Sequence, residues 1–236
     1  MNFRLKLKPI NNWFLFLFGI VLLLTSCSTY RIADKFTSKK LHQSGLTLKK
    51  VNLGNYHIEY WDSAVDKPTL MLIHGFGASS QFQWFKQTDV LKDSFRLILP
   101  NLIYFGESKV DTSICDVMEQ AEALKLLLDY LQIKSYSLCG ASYGGNVAVE
   151  LANLNPQNVN KLILFDTPVK YMSLEDINHI YEHYHVKSLG ELLIPSDYKK
   201  LTLLLKVAFL NPPKVPAIFC RSIYKELYTK QATGQK

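Results

Sequence analysis

Residues 138–145 read Leu-Cys-Gly-Ala-Ser-Tyr-Gly-Gly (LCGASYGG). An apolar strand-like run, SYSLCG, leads into the stretch, and a helix-like run, SYGGNVAVELANLN, leads out of it. The octapeptide therefore reads as a strand-to-helix turn with Ser142 at its apex. Gly140, Ala141, Gly144 and Gly145 are small, as such a turn requires: strand and helix close on each other only when no bulky side chain stands between them. The serine backbone is then held in a strained conformation, and its hydroxyl projects from the C-terminal edge of the sheet. Open α/β sheets bind their ligands at that edge.

The flanking sequence repeats the pattern. PTLMLIHGF (68–76) and SFRLILPN (94–101) are continuous apolar runs closed by glycine or proline, the signature of strands buried on both faces. Residues 80–92 between them read as a helix. Residues 113–132 read as a stronger one, with Val117, Ala121, Leu124, Leu128 and Leu131 on a single face. NKLILFD (160–166) is a further strand. The order from 69 to 166 is thus β-α-β-α-β-α-β, which predicts an α/β fold: a mostly parallel, doubly wound sheet with helices on both faces. Upstream, LTLKKVNLGNYHIEYWDS (46–63) reads as a hairpin turning at Gly54-Asn55. Residues 28–45 are polar and aperiodic and read as a tether. After Asp166 the pattern changes to helical stretches at 173–186, 197–210 and 217–230, with NPPKVP as a breaker.

Two glycine-containing segments fall on the same sheet edge. Acyl transfer at Ser142 needs N–H donors aimed at the developing oxyanion. The backbone N–H of Tyr143 is one, and the loop His74-Gly75-Phe76-Gly77, at the end of an earlier strand, offers that of Phe76 as the other. His74 reads as a histidine that shapes this loop, since it lies in the wrong segment to act as base on Ser142.

LIHGFGASS, LPNLIYFGESK and LCGASYGG, in this order and spacing, resemble the α/β-hydrolase superfamily, with the lipase/esterase branch, including monoacylglycerol-lipase-like proteins, the nearest in character. The resemblance covers about residues 46–236. It implies hydrolysis of carboxylic esters by a serine nucleophile through an acyl-enzyme, without cofactor or metal, and a helical cap inserted after the sixth strand, which 167–236 fits. Ala141 stands where the turn often carries histidine, and Asn101 where relatives often have aspartate. The dehalogenase and epoxide-hydrolase branches use an aspartate nucleophile where this chain has Ser142.

The triad order in this superfamily is serine, then an acid, then histidine, the last two on loops beyond the cap. The histidines after Ser142 are His179, His183 and His185, which read as solvated cap residues. Asp166 has two readings: a turn former ahead of Thr167-Pro168, or the triad acid. The expectation is a chain that stops within an incomplete cap, with the last strands and the base missing and little activity of its own. The alternative is a non-catalytic lipoprotein that keeps the fold as a binding module.

The N-terminus bears on location. Arg4, Lys6 and Lys8 precede a 12-residue apolar run, Trp13–Leu24, of signal-peptide length, followed by Leu24-Thr25-Ser26-Cys27. This resembles the bacterial lipoprotein box, with Cys27 the lipidated mature N-terminus. An ordinary signal peptide or an uncleaved anchor carrying a cysteine is the other reading. The domain plan is then signal peptide 1–26, tether 27–45, hydrolase core 46–166 and cap 167–236, in a protein lipid-anchored in a bacterial cell envelope. Loss of 1–26 takes three positive charges and no acidic residue from the net +7, leaving +4. No nucleic-acid partner is called for; the expected partners are a membrane and a small ester or acyl lipid. Cys115, Cys139 and Cys220 lack CxxC spacing and make an odd set, so neither a disulfide framework nor a metal site is expected.

Overall fold

The computed structural model describes residues 29–77, 79–111, 116–168, 172–209, 211–212 and 214–225. The N-terminal apolar run, Cys27 and Cys115 lie outside them.

A seven-stranded sheet organises the chain. β1 (Thr47–Leu53) and β2 (Tyr56–Asp62) form the hairpin, with Gly54 at φ +62° in the turn. β3 (Thr69–Ile73), β4 (Arg96–Pro100), the two-residue β5 (Lys109–Val110), β6 (Tyr136–Ala141) and β7 (Val159–Phe165) complete it. The order is β1-β2-β4-β3-β6-β7, with β5 paired to β2. β4, β3, β6 and β7 run parallel, while β1, β2 and β5 pair antiparallel. The helices α2 (Ser80–Leu91), α3 (Val117–Tyr130) and α4 (Tyr143–Leu154) are the crossovers, as the periodicity predicts.

Alternation along the central strands divides the core in two. On one face, Ile58, Tyr60, Met71, Ile73, Ile98 and Leu138 pack with Ala121, Leu124 and Leu128 of α3 and Val147 and Ala148 of α4. On the other, Trp61, Leu70, Leu72, Leu97, Leu99 and Cys139 pack with Trp84 of α2 and with Leu41 and Leu46. Every residue of β3 is buried, as a strand covered on both faces must be. Asp62, on the strand face of Ile58 and Tyr60, accepts hydrogen bonds from Arg96 Nε (3.1 Å) and Nη2 (3.0 Å) and from Lys49 Nζ (2.9 Å), tying β1, β2 and β4 together.

Residues 28–45 differ from the expectation of an aperiodic tether. Thr29–Gln43 is a helix, α1, packed on α2. Its inward stripe is Thr37 and Leu41, continued by Ser44, so only one residue in it is strongly apolar and hydropathy alone does not reveal the period. Hydrogen bonds replace the missing apolar area: Ser44 Oγ donates to Asp89 Oδ1 (2.7 Å), and Gln81 Nε2 donates to Asp34.

α5 (Leu174–Tyr184), α6 (Leu189–Leu193), α7 (Tyr198–Ala208) and α8 (Ala217–Tyr224) follow the sheet. α5 opens on a Ser173/Asp176 capping box. Leu201 and Cys220 are the buried centre of a small separate cluster between α7 and α8, and Lys200 pairs with Glu191 at 2.8 Å. At the sheet edge, β7 leaves Leu162, Ile163, Leu164 and Phe165 between 37% and 52% exposed.

Candidate active site

β6 ends at Ala141 and α4 begins at Tyr143, leaving Ser142 alone between strand and helix. Its backbone lies at φ +50°, ψ −122°, outside the regions that L-residues favour. The surroundings impose this conformation. Ser142 N–H donates to Phe165 O (2.8 Å), and Gly145 N–H donates to Ser142 O (2.9 Å). A Cβ at Gly140 would overlap the Gly144 carbonyl and lie 2.6 Å from Gly145 Cα. One at Gly144 would strike the His74 carbonyl and lie 2.6 Å from Ile73 O. One at Gly145 would overlap the Thr167 side chain. The three glycines are therefore space requirements of the turn, and the side chain that this packing turns outward is the exposed Ser142.

The loop after β3 is brought against it. A Cβ at Gly75 would sit 3.3 Å from Ser142 Cβ and 3.2 Å from Ala141 O. Phe76 and Tyr143 meet edge to face with ring centroids 6.0 Å apart, and Phe76 meets Phe105 at 5.3 Å. The two residues expected to supply oxyanion donors therefore stand together on the Ser142 side of the sheet. Gly75 N–H donates to Gln83 Oε1 (2.8 Å), so α2 holds this loop in place. Gln83 was not legible as a site residue, because its contact reaches eight residues back from a helix into a loop.

His74 is fully buried and both ring nitrogens are engaged. Leu102 N–H donates to Nε2 (3.0 Å), which makes Nδ1 the protonated nitrogen, donating to Gly75 O (2.8 Å). Burial pulls its pKa down to about 4, against the weaker opposing effect of the Gly75 hydrogen bond. It is a neutral strut between the loops after β3 and β4.

A second buried network fixes the loop after β4. Asn101 Oδ1 accepts from Ser80 N–H and Oγ (both 2.8 Å), and its Nδ2 donates to Glu59 Oε2 (2.6 Å). Ser108 Oγ bridges Asn101 O and Glu59 N–H. Gly106, at φ +57°, closes over this network where a Cβ would meet Glu59 Oε2 at 2.7 Å. Asparagine suits the position because it donates to one partner and accepts from the other.

Asp166 follows Phe165, the register partner of Ala141, so it lies beside Ser142 at the ends of neighbouring strands. It is exposed, at φ +45°, and no hydrogen bond joins it to Ser142 among the described residues. His179, His183 and His185 lie on and just after α5, and none hydrogen-bonds Ser142. His183 stacks edge to face on Tyr184, and His185 ends the helix in a left-handed conformation. No group of three or more His, Cys, Asp or Glu suited to a metal occurs among the described residues. Cys139 is buried, and desolvation pushes its thiol up to about 11, the behaviour of a small core residue.

Comparison with known proteins places this geometry. A 2-hydroxy-6-oxononadienedioate/2-hydroxy-6-oxononatrienedioate hydrolase of Paraburkholderia phymatum is 33% identical over 138 residues, 54% of this chain and 47% of the relative. The first curated relatives are spanned for only about a quarter to a half of their own length. A solved lipase candidate, lip1, of Acinetobacter baumannii superposes with a TM-score of 0.71 at 25% identity, covering 86% of this chain and 67% of its own. A bacterial membrane phospholipase A gives 0.68 at 26%, covering 92% and 71%. The sequence model of the alpha/beta hydrolase fold matches residues 68–193, more than half of the chain, and the protein belongs to that family.

Proposed function

We propose that the protein is a serine hydrolase of carboxylic esters, with Ser142 as nucleophile and small esters or acyl lipids as substrates. The observation that carries this reading is the Ser142 backbone at φ +50°, ψ −122°, held between strand and helix by three glycines that admit no side chain. In the reaction, Ser142 Oγ bonds to the acyl carbon and its proton passes to a base. The carbonyl electron pair moves onto oxygen, where the N–H groups of Phe76 and Tyr143 stabilise it. Collapse breaks the ester C–O bond, and the alcohol leaves with the proton. Water then repeats the sequence on the acyl-enzyme, releasing the acid and Ser142. Likeness to a lipase candidate and a phospholipase A supports lipid esters as the substrate class.

None of the described histidines hydrogen-bonds Ser142, so the described residues supply a nucleophile and oxyanion donors without a base in contact with it. The reading is therefore that the 236-residue chain alone turns esters over slowly. The same observation favours a second reading, a binding module that retains the fold without catalysis.

Hydrolysis of p-nitrophenyl esters of graded acyl length separates the two, measured on the protein purified from its native cells. For the hydrolase, turnover reduced roughly a thousandfold or more in Ser142→Ala is expected. Absence of turnover in the native product, or turnover indifferent to Ser142→Ala, assigns the binding role.

A further inference from the structure

α1 presents a surface that the hydrolase reading does not use. Thr37 and Leu41 face the core, and the opposite side carries Arg31, Ile32, Lys35, Phe36, Lys39 and Gln43. At 100° per residue these fall in one stripe, centred near Lys39. Ile32 is 63% exposed; Phe36, at the margin of the stripe, is 52% exposed and meets Phe85 of α2 edge to face with centroids 6.1 Å apart. Arg31, Lys35 and Lys39 have no ion-pair partner among the described residues. Lys40 Nζ lies 6.0 Å over the Phe36 ring, and Phe36, Lys39, Lys40 and Gln43 line a shallow open depression. The helix has a single acidic residue, Asp34, which is half-buried against Gln81 on the inner side. A stripe in which exposed apolar side chains interleave with uncompensated cations matches an anionic lipid surface: the cations meet headgroup phosphates while Ile32 and Phe36 enter the headgroup–acyl boundary. A nucleic acid would use the cations and leave the exposed isoleucine without a role.

The position of α1 gives the stripe a consequence. The Tyr30 ring packs on Phe82 with centroids 5.3 Å apart, and Asp34 is bonded to Gln81, so the first turns of α1 lie over the first turn of α2. Gln83 in that turn holds Gly75, and Gly75 abuts Ser142. The N-terminal end of α1 and the exposed serine therefore share the C-terminal edge of the sheet. The apolar run Trp13–Leu24 precedes α1 by only a few residues in the chain.

We propose that α1 docks on an anionic membrane through Arg31, Ile32, Lys35, Phe36 and Lys39 and sets the Ser142 edge of the sheet toward that surface. The orientation matters because acyl lipids are the substrate class proposed above; the docking itself does not depend on that reading.

Hydrogen exchange of the full chain bound to vesicles tests it, with vesicles of phosphatidylcholine alone compared with phosphatidylcholine mixed with phosphatidylglycerol. Slower exchange confined to residues 29–43 in the anionic vesicles is expected, with α3 unchanged. The triple variant Arg31→Gln/Lys35→Gln/Lys39→Gln should lose about a hundredfold in the docked state of α1. Ile32→Glu/Phe36→Glu should also abolish the protection, while leaving the exchange of α3 unaltered. Equal exchange of α1 in both vesicles, protection at β7 in its place, or protection by duplex DNA but not by vesicles would overturn the proposal. Ser142 chemistry does not enter this readout, so the docking surface and the hydrolase reading fail separately.

Discussion

At Ser142, the proposed function and stability oppose each other. A non-glycine residue at φ +50°, ψ −122° carries roughly 1–3 kcal/mol of backbone strain. Alanine keeps that strain and glycine removes it, at a smaller cost in chain entropy. Ser142→Gly should therefore be about 1 kcal/mol more stable to urea than Ser142→Ala, although both lack the proposed nucleophile. Equal stability would mean that the turn does not strain the residue. His74 makes a different prediction. It is neutral when folded, with a pKa near 4, and ordinary when unfolded, near 6.5. Between these values the unfolded chain binds the extra proton. Stability is then complete above about pH 6.5 and declines as pH falls toward 4, by roughly 3 kcal/mol for this fully buried ring. Urea midpoints across this range should show the slope, and His74→Gln should flatten it. Asn101 joins two buried partners of opposite demand. Asn101→Asp places a carboxylate against the Glu59 carboxylate and should cost about 2–4 kcal/mol, much of it restored by adding Glu59→Gln. No recovery in the double variant would show that the cost lies elsewhere.

At the scale of elements, the turn between β6 and α4 is a packing problem solved by glycine. Gly144→Ala meets the backbone of Ile73 and His74, which no rotamer change relieves, and should unfold the turn or the domain. For Gly145→Ala the nearest atoms are all of the Thr167 side chain, so Gly145→Ala/Thr167→Gly should recover most of the loss. Thermal melts of the four proteins give the coupling, and additive losses would contradict the contact. The same contrast between local and distant causes explains what was readable in advance. The elbow, its glycines and the crossover helices were legible because each is set by residues adjacent in the chain or by a strong period, as in α3. β5 and α6 are too short to show one. α1 was missed because its inner stripe is Thr37, Leu41 and Ser44, anchored by hydrogen bonds to α2. Gln83 on Gly75 and Asn101 on Glu59 depend on contacts between separate elements, for which no local pattern exists.

Across the whole molecule, a sheet covered on both faces at its centre ends in an edge that is not. Leu162, Ile163, Leu164 and Phe165 of β7 are open, and an apolar edge strand is a site of self-association. Sedimentation of the 236-residue chain in detergent should show concentration-dependent association that Leu164→Lys reduces, with its stability changed by no more than about 0.5 kcal/mol. Unchanged association would place the contact elsewhere, including the α1 stripe, which Ile32→Glu/Phe36→Glu tests independently. Both surfaces flank one functional edge, where β6 delivers Ser142 and the loop after β3 delivers Phe76. The account stands on that serine being a nucleophile. A fluorophosphonate probe applied to the protein in a lysate of its native cells, followed by mass-spectrometric mapping of the adduct, is the most direct test. The account predicts a phosphonylated Ser142, with no adduct in Ser142→Ala. A protein that remains unlabelled, or that carries the adduct on another residue while Ser142 stays free, would contradict it.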